Sequence, residues 1–219
     1  MTRPDLVELS HTIEDGLETY PGLPTPRITE HMARSDAHYA PGTSFAITSI
    51  EMVANTGTYI DAPFHRYEHG DDIAEMPLAS IANVPGLCVR APKRRIDASV
   101  FDNRELAGKA VLVATGWSRH WGTSEYMNSY PFLTSECGSF LAEAGVTLVG
   151  IDTPNIDDNI DGQRPVHTAL LGAGIPIVEH LTGLDALPDS GFRFFAAPPK
   201  IRRFTSFPVR AFALVESFT

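Results

Sequence analysis

The sequence predicts a single α/β domain, and three observations carry the prediction. A chain of 219 residues with 43% hydrophobic and 20% charged residues suits one compact globular unit over 1–219. Its first part, to about residue 90, is β-rich and punctuated by turns. Near residue 110 the rhythm changes, and apolar strand-like runs begin to alternate with helical stripes. The 17 Gly and 17 Pro are spread along the chain rather than gathered into a linker, and no internal repeat divides it.

In the first part, residues 44–53 (SFAITSIEMV) and 87–90 read as strands separated by Pro-Gly turns. Residues 110–115 (AVLVAT) form a continuous apolar run closed by Gly116, the pattern of a strand buried on both faces. Thr134 or Ser135 can cap the next helix, whose Cys137, Phe140, Leu141 and Ala144 share one stripe and which Gly145 stops. Residues 146–151 (VTLVGI) give the next strand, so strand, helix and strand imply a right-handed parallel crossover. A helix over 165–171 and a strand over 175–178 extend the pattern. Sites in such sheets collect beyond the carboxyl ends of parallel strands. Asp152 follows one such strand, Glu179 follows the next, and His167 falls in the first turn of the helix between them, so the three are expected at one edge.

The charge balance narrows the partners. With 27 acidic against 17 basic residues the net charge is −10, and basic residues cluster only at Lys93-Arg94-Arg95 and Arg202-Arg203. A nucleic-acid face needs clustered positive charge, so nucleic acid is not expected. No apolar run approaches the roughly 18 residues that span a bilayer, and MTRPDLVELSHTIEDG lacks the apolar heart of a signal peptide, so no membrane partner and a cytoplasmic location are expected. Cys88 and Cys137 read as core thiols rather than a disulfide.

Chemistry concentrates first in NTGTYIDAPFH, residues 55–65, where Asp61 and His65 stand four apart with little other charge. A lone pair of this kind is ordinarily a turn carboxylate beside a surface histidine. Here Pro63 fixes the backbone between them and Gly57-Thr58 suggests a close-packed bend, so the segment is rigid enough to present a site. Asp61, His65, His167 and Glu179 together, two imidazoles and two carboxylates, suit Zn²⁺, Mn²⁺ or Fe²⁺ and can leave a coordination position for water. Such a cation turns water into a nucleophile for a carbonyl near neutral pH.

Other residues have plainer readings. His11 is expected to bond backbone at a strand end; His31, His38, His69 and His120 lie in polar, turn-rich segments and read as solvated. His180, next to Glu179 in a strand-like run, should face away from it. Trp117, Trp121, Tyr126 and Tyr130 form an aromatic loop that either packs over the core or an interface or, with Phe45 and Phe64, walls a substrate pocket. Asp152 reads as a turn stabiliser.

These residues carry a resemblance. The chain is similar to the cyclase family of metal-dependent hydrolases, which includes bacterial kynurenine formamidases and isatin hydrolases and has the hallmark H-x-G-T-H-x-D-x-P-x-H. Gly57, Thr58, Asp61, Pro63 and His65 match in register. LSHTIEDGLETYPG, VLVATGW, GVTLVGIDTPNID, HTALLGAGIPIVEHL and SFPVRAFAL extend the similarity over nearly the whole chain. The resemblance implies a swivelling β/β/α fold with a mixed sheet, a homodimer or homotetramer, and metal-assisted hydrolysis of an amide-type C–N bond in a small aromatic or cyclic substrate. It also implies metal roles for Asp61, His65, His167 and Glu179, the last two carrying the family's spacing of twelve.

The departures matter as much. Asn55 and Tyr59 stand where the pattern has its first two histidines, and Asn155 where relatives often have Ser. An amide oxygen is a poor zinc ligand, and a phenol with a reference pKa near 10 binds strongly only as phenolate. The preferred expectation is therefore one divalent metal, zinc or manganese, on Asp61, His65, His167 and Glu179, activating water to cleave an amide, lactam or lactone. Tyr59 or Asn55 would then orient the substrate. Two alternatives stay open: a metal-independent cyclase or lyase using Asp61 and His65, and a small-molecule binder without turnover.

Overall fold

The computed structural model describes residues 5–36 and 39–215, which leaves the reading of His38 outside them. The strands are β1 (Asp5–Glu8), β2 (Arg27–Met32), β3 (Ile47–Glu51), β4 (Tyr59–Asp61), β5 (Val84–Arg90), β6 (Arg95–Ile96), β7 (Ala110–Ala114), β8 (Phe132–Leu133), β9 (Leu148–Ile151), β10 (Ile177–Glu179), β11 (Ser190–Phe195), β12 (Ser206–Pro208) and β13 (Phe212–Val215). The α-helices are α1 (Leu78–Ile81), α2 (Ser135–Glu143) and α3 (Pro165–Gly172). Nine strands make one mixed sheet in the order β1-β13-β11-β5-β7-β9-β10-β4-β12. Its centre, β5, β7, β9 and β10, is parallel, and the strands outside it pair antiparallel.

The central strands are apolar on both faces because both faces are covered. Along β7, Ala110, Leu112 and Ala114 join one core with Phe192 and Phe194, whereas Val111 and Val113 join a second with Cys137 and Leu141 of α2 and Leu170 of α3. The helix signals hold: Thr134 accepts a hydrogen bond from the Cys137 amide at the start of α2, and Gly145 ends that helix region in the left-handed conformation (φ 69°). Phe140 is the exception on the expected stripe, being exposed. Both cysteines are buried, free thiols.

Two strands depart from the sequence reading. β5 begins at Val84 and so contains Pro85, a residue usually kept out of central strands. Pro85 faces Arg193 of β11 beside a register shift, where the ladder is already interrupted. β3 covers only Ile47–Glu51 of the expected 44–53, and it pairs with β2 as a separate two-stranded ribbon on which no residue is buried. No helix among the described residues is long and apolar enough to cross a membrane.

Candidate active site

Three neighbouring strands supply the floor of the site by simple register. In β4, Asp61 is opposite Ser206 of β12 on one side and Ile177 of β10 on the other, and Tyr59 is opposite Glu179. Directly opposed side chains meet. Accordingly Ser206 Oγ donates to Asp61 Oδ1 at 2.5 Å, and Tyr59 Oη donates to Glu179 Oε2 at 2.5 Å. Period-two alternation puts Tyr59 and Asp61 on the same face, with Ile60 turned into the core.

His65 arrives on a single 3₁₀ turn, Pro63–His65, that Pro63 opens. His167 arrives in the first turn of α3, whose N-terminal residue Arg164 gives no side-chain cap. Asp157 takes over that task. It accepts the Val166 and His167 amides at 2.7 and 3.0 Å and bonds His167 Nδ1 at 2.6 Å. With Nδ1–H committed to Asp157, Nε2 faces Asp61 Oδ2 at 3.7 Å and Glu179 Oε1 at 3.6 Å.

Asp61, His65 and His167 each offer a ligand atom, all within 4.8 Å of one another. Asp61 Oδ2 is buried and makes no hydrogen bond among the described residues, although Oδ1 has Ser206 and, at 3.4 Å, the Asn55 amide. A buried carboxylate oxygen without a donor is costly unless a cation or ligand completes it. Glu179 lies beside the trio, and its two oxygens already accept from Tyr59 and from the Ile156 amide at 2.7 Å. The donor set therefore fits one divalent cation better than two.

Electrostatics divide the site in two. Burial opposes charge on His167, but the hydrogen bond it makes to Asp157 and the nearby charges of Asp61 and Glu179 raise it to about 10. Burial pushes Asp61 up, yet His167 and His65 together hold it below the usual carboxylate range. Burial raises Glu179, and the charge of Asp61 adds to that. On the other side, burial and Glu179 hold Tyr59 well above 10, and burial lowers His180 to about 3. The upward direction favours the neutral phenol at Tyr59.

Sequence reasoning missed Tyr20, Ser206 and Asp157. The Tyr20 hydroxyl donates to the Pro154 carbonyl, lies 2.9 Å from Tyr59 Oη and 3.2 Å from His180 Nε2. Tyr126 Oη reaches His180 Nδ1 at 3.0 Å, so His180 is enclosed by phenols. β10 ends at Glu179 and His180 is left-handed (φ 56°), which is why strand alternation does not govern where its ring goes. Asp157 carried one local hint, a carboxylate shortly before a helix start; Tyr20 and Ser206 carried none.

Several expectations resolve differently. Asp152 does not join the cluster: it accepts from Thr115 N (2.9 Å), Thr115 Oγ1 (2.6 Å) and Gly116 N (2.8 Å), the turn role read for it. The aromatic loop walls no part of the pocket, since Trp117 Nε1 donates to the Tyr126 carbonyl and Trp121 stacks on His11 with ring centroids 3.9 Å apart. Phe45 is exposed against Tyr39, and Phe64 does not line the cavity. His31 and His69 are exposed, whereas His120 is half-buried and pairs with Glu125 at 3.0 Å. The cavity over the cluster, about 290 Å³, is instead lined by Tyr20, Leu23, Asn55, Tyr59, His65, Arg66, Asn155, Arg164, His167 and Glu179.

Comparison with known proteins agrees with this architecture. A family model described as "Putative cyclase" matches residues 7–158. A kynurenine formamidase from Bacillus cytotoxicus is 28% identical over 220 residues, covering 96% of this chain and 98% of that protein. Isatin hydrolase A from Labrenzia aggregata, bound to benzyl benzoate, superposes with a TM-score of 0.83 at 25% identity over 96% of this chain and 93% of its own. A potential metal-dependent hydrolase with cyclase activity shares the fold with a TM-score of 0.80 at 24% identity, covering 98% and 99%.

Proposed function

The chain belongs to the cyclase family, and from that premise we propose that it hydrolyses an amide, lactam or lactone of a small aromatic or cyclic substrate. The observation that carries the reading is the unsatisfied Asp61 Oδ2 facing His167, with His65 beside it, in a cavity of small-molecule size. Asp61, His65 and His167 would hold one divalent cation, zinc or manganese, with Glu179 at its edge. When bound, such a cation polarises a carbonyl and lowers the pKa of water.

The chain's own residues prepare that chemistry. Asp157 fixes the His167 ring with Nε2 inward, and Ser206 fixes one Asp61 oxygen so that the other stays free. Glu179, raised by burial, can carry a proton at Oε1 or Oε2 in the pH range where a hydrolase works. Tyr59 and Asn55 are neutral donors at the positions where relatives carry histidine, and they orient the substrate carbonyl. The relatives named kynurenine formamidase and isatin hydrolase support an aromatic C–N substrate.

A second reading has one observation in its favour. His167, held protonated among Asp157, Asp61 and Glu179, balances the buried carboxylates without a metal, as an acid and base site for cyclisation or elimination would require. Elemental analysis of protein purified without chelators separates the two. About one cation per chain, lost in Asp61→Ala and His167→Ala, is expected. No cation after incubation with Zn²⁺ or Mn²⁺ would sink the hydrolase mechanism.

We further propose a homo-oligomer, a dimer or tetramer, through the β2–β3 ribbon. Ile28 and Ile50 face each other on it and are 40% and 49% exposed, and a two-stranded ribbon is marginal alone. Light scattering of wild type against Ile28→Lys tests this.

A further inference from the structure

Two arginines line the pocket, and neither is neutralised there by an ion pair. Elsewhere Arg90 and Arg104 pair with Asp189, and Arg210 with Glu8. Arg164 and Arg66 line the cavity that contains His65, His167 and Glu179, and among the described residues neither forms an ion pair with a carboxylate.

Arg164 is also held in place at a backbone cost. Its φ of 50° and ψ of 59° are left-handed, a region that a side chain bearing Cβ avoids, and the following Pro165 further restricts its backbone. The surroundings over-determine it: Nη1 donates to Asn155 Oδ1 at 3.3 Å and to the Asp158 carbonyl at 3.1 Å, and the Tyr130 hydroxyl also bonds the side chain. Strain of this kind persists where a side chain must be presented in one place. Its hydrogen-bond partners are all uncharged groups, so no carboxylate of the protein offsets the half-buried guanidinium. Arg66 donates through Nε to Thr168 Oγ1 at 3.3 Å, and its two Nη groups donate to nothing among the described residues.

A planar fork of N–H donors with no carboxylate of its own matches a carboxylate from outside. In a chain of net charge −10, two such groups at one cavity do not serve general attraction. We infer that Arg164, assisted by Arg66, forms a carboxylate subsite, so that the substrate of this pocket is a small aromatic amide or lactam bearing a carboxylate near its scissile bond. This inference rests on the hydrolase reading for the words amide and lactam, and on the pocket alone for the carboxylate.

The test pairs isosteric probes on the metal-replete protein. Calorimetry with benzoate and benzamide should show benzoate binding about tenfold tighter or more, the size of a charge-assisted hydrogen bond. Arg164→Gly should abolish that preference; glycine tolerates the left-handed backbone, and circular dichroism checks that the variant folds. Arg164→Lys should restore part of it. For turnover, the ratio of kcat/KM for 2-formamidobenzoate over formanilide should fall about tenfold or more in Arg164→Gly, through KM. Equal binding of the two probes, or a benzoate preference that survives Arg164→Gly because benzoate sits on the cation, would overturn the subsite. Failure to hydrolyse either formamide would defeat the hydrolase reading instead, and the binding pair would still decide the carboxylate.

Discussion

The cavity face of the cluster and the buried layer beside Tyr59 are built from similar hydrogen-bonding parts and end with opposite electrostatics. On one side Asp61, Asp157 and Glu179 surround His167 and raise its pKa to about 10. On the other, Tyr20 and Tyr126 enclose His180, and burial lowers it to about 3. Both rings are buried and both have a polar neighbour at each nitrogen. What differs is whether those neighbours carry charge. Burial alone therefore does not decide the state of an imidazole; the charges of its partners do. Asn55 and Tyr59 add neutral donors on the His180 side, the first to Asp61 and the second to Glu179.

The comparison breaks most severely if the charged side is emptied. Asp61→Ala should remove the cation and lower hydrolysis by about three orders of magnitude or more, against roughly tenfold for Tyr59→Phe on the neutral side. Steady-state kinetics with elemental analysis would read both; equal losses would mean that the two walls share the chemistry evenly. Next in size, Asp157→Asn keeps the shape beside His167 but weakens its orientation, and cation affinity should fall about 10- to 100-fold in a chelator competition assay. The double variant Asn55→His with Tyr59→His should sharpen the contrast from the other direction, raising bound cation from about one per chain towards two. A stoichiometry fixed at one would show that the neutral wall lacks room for a second site.

The smallest effect is on stability against pH, and its sign differs between the sides. His180 has a native pKa of about 3, below the unfolded value near 6.5, so under pH 6.5 the unfolded chain binds a proton that the native one refuses. Stability from this group is complete above pH 6.5 and falls as pH is lowered through the window from 6.5 to 3, by up to about 1.4 kcal/mol per pH unit. His11, lowered to about 4 by burial, adds a smaller, solvent-screened share. His167 in metal-free protein behaves oppositely: its contribution is full below pH 6.5 and is lost as pH rises to about 10. Urea midpoints of wild type and His180→Gln between pH 4 and 7 should converge as pH falls, because only the wild type loses stability through this residue.

How much of this was legible in the sequence depended on how locally each feature is determined. The buried run of β7, the Thr134 cap and the Gly145 stop are set by neighbours within a turn or strand, and they read correctly. Asp61 and His65 were visible because one rigid segment carries both. Ser206 was not, since it meets Asp61 only through strand register across 145 positions, and Tyr20 reaches Tyr59 only because a loop folds back over the sheet. Pro85 misled in the other direction, since its tolerance in β5 depends on an irregularity in a strand more than a hundred residues later. The aromatic loop suggested a pocket wall by composition, but Trp121 had a more local use against His11.

The ribbon of β2 and β3 has a further consequence that follows from chain continuity. Tyr20 precedes its first strand by seven positions, and Asn55 follows its last by four, so the ribbon is tied at both ends to the lip of the pocket. It is a handle whose two roots are parts of the lock. Any change in how the ribbon's two strands sit is carried through short stretches of chain to Tyr20 and Asn55.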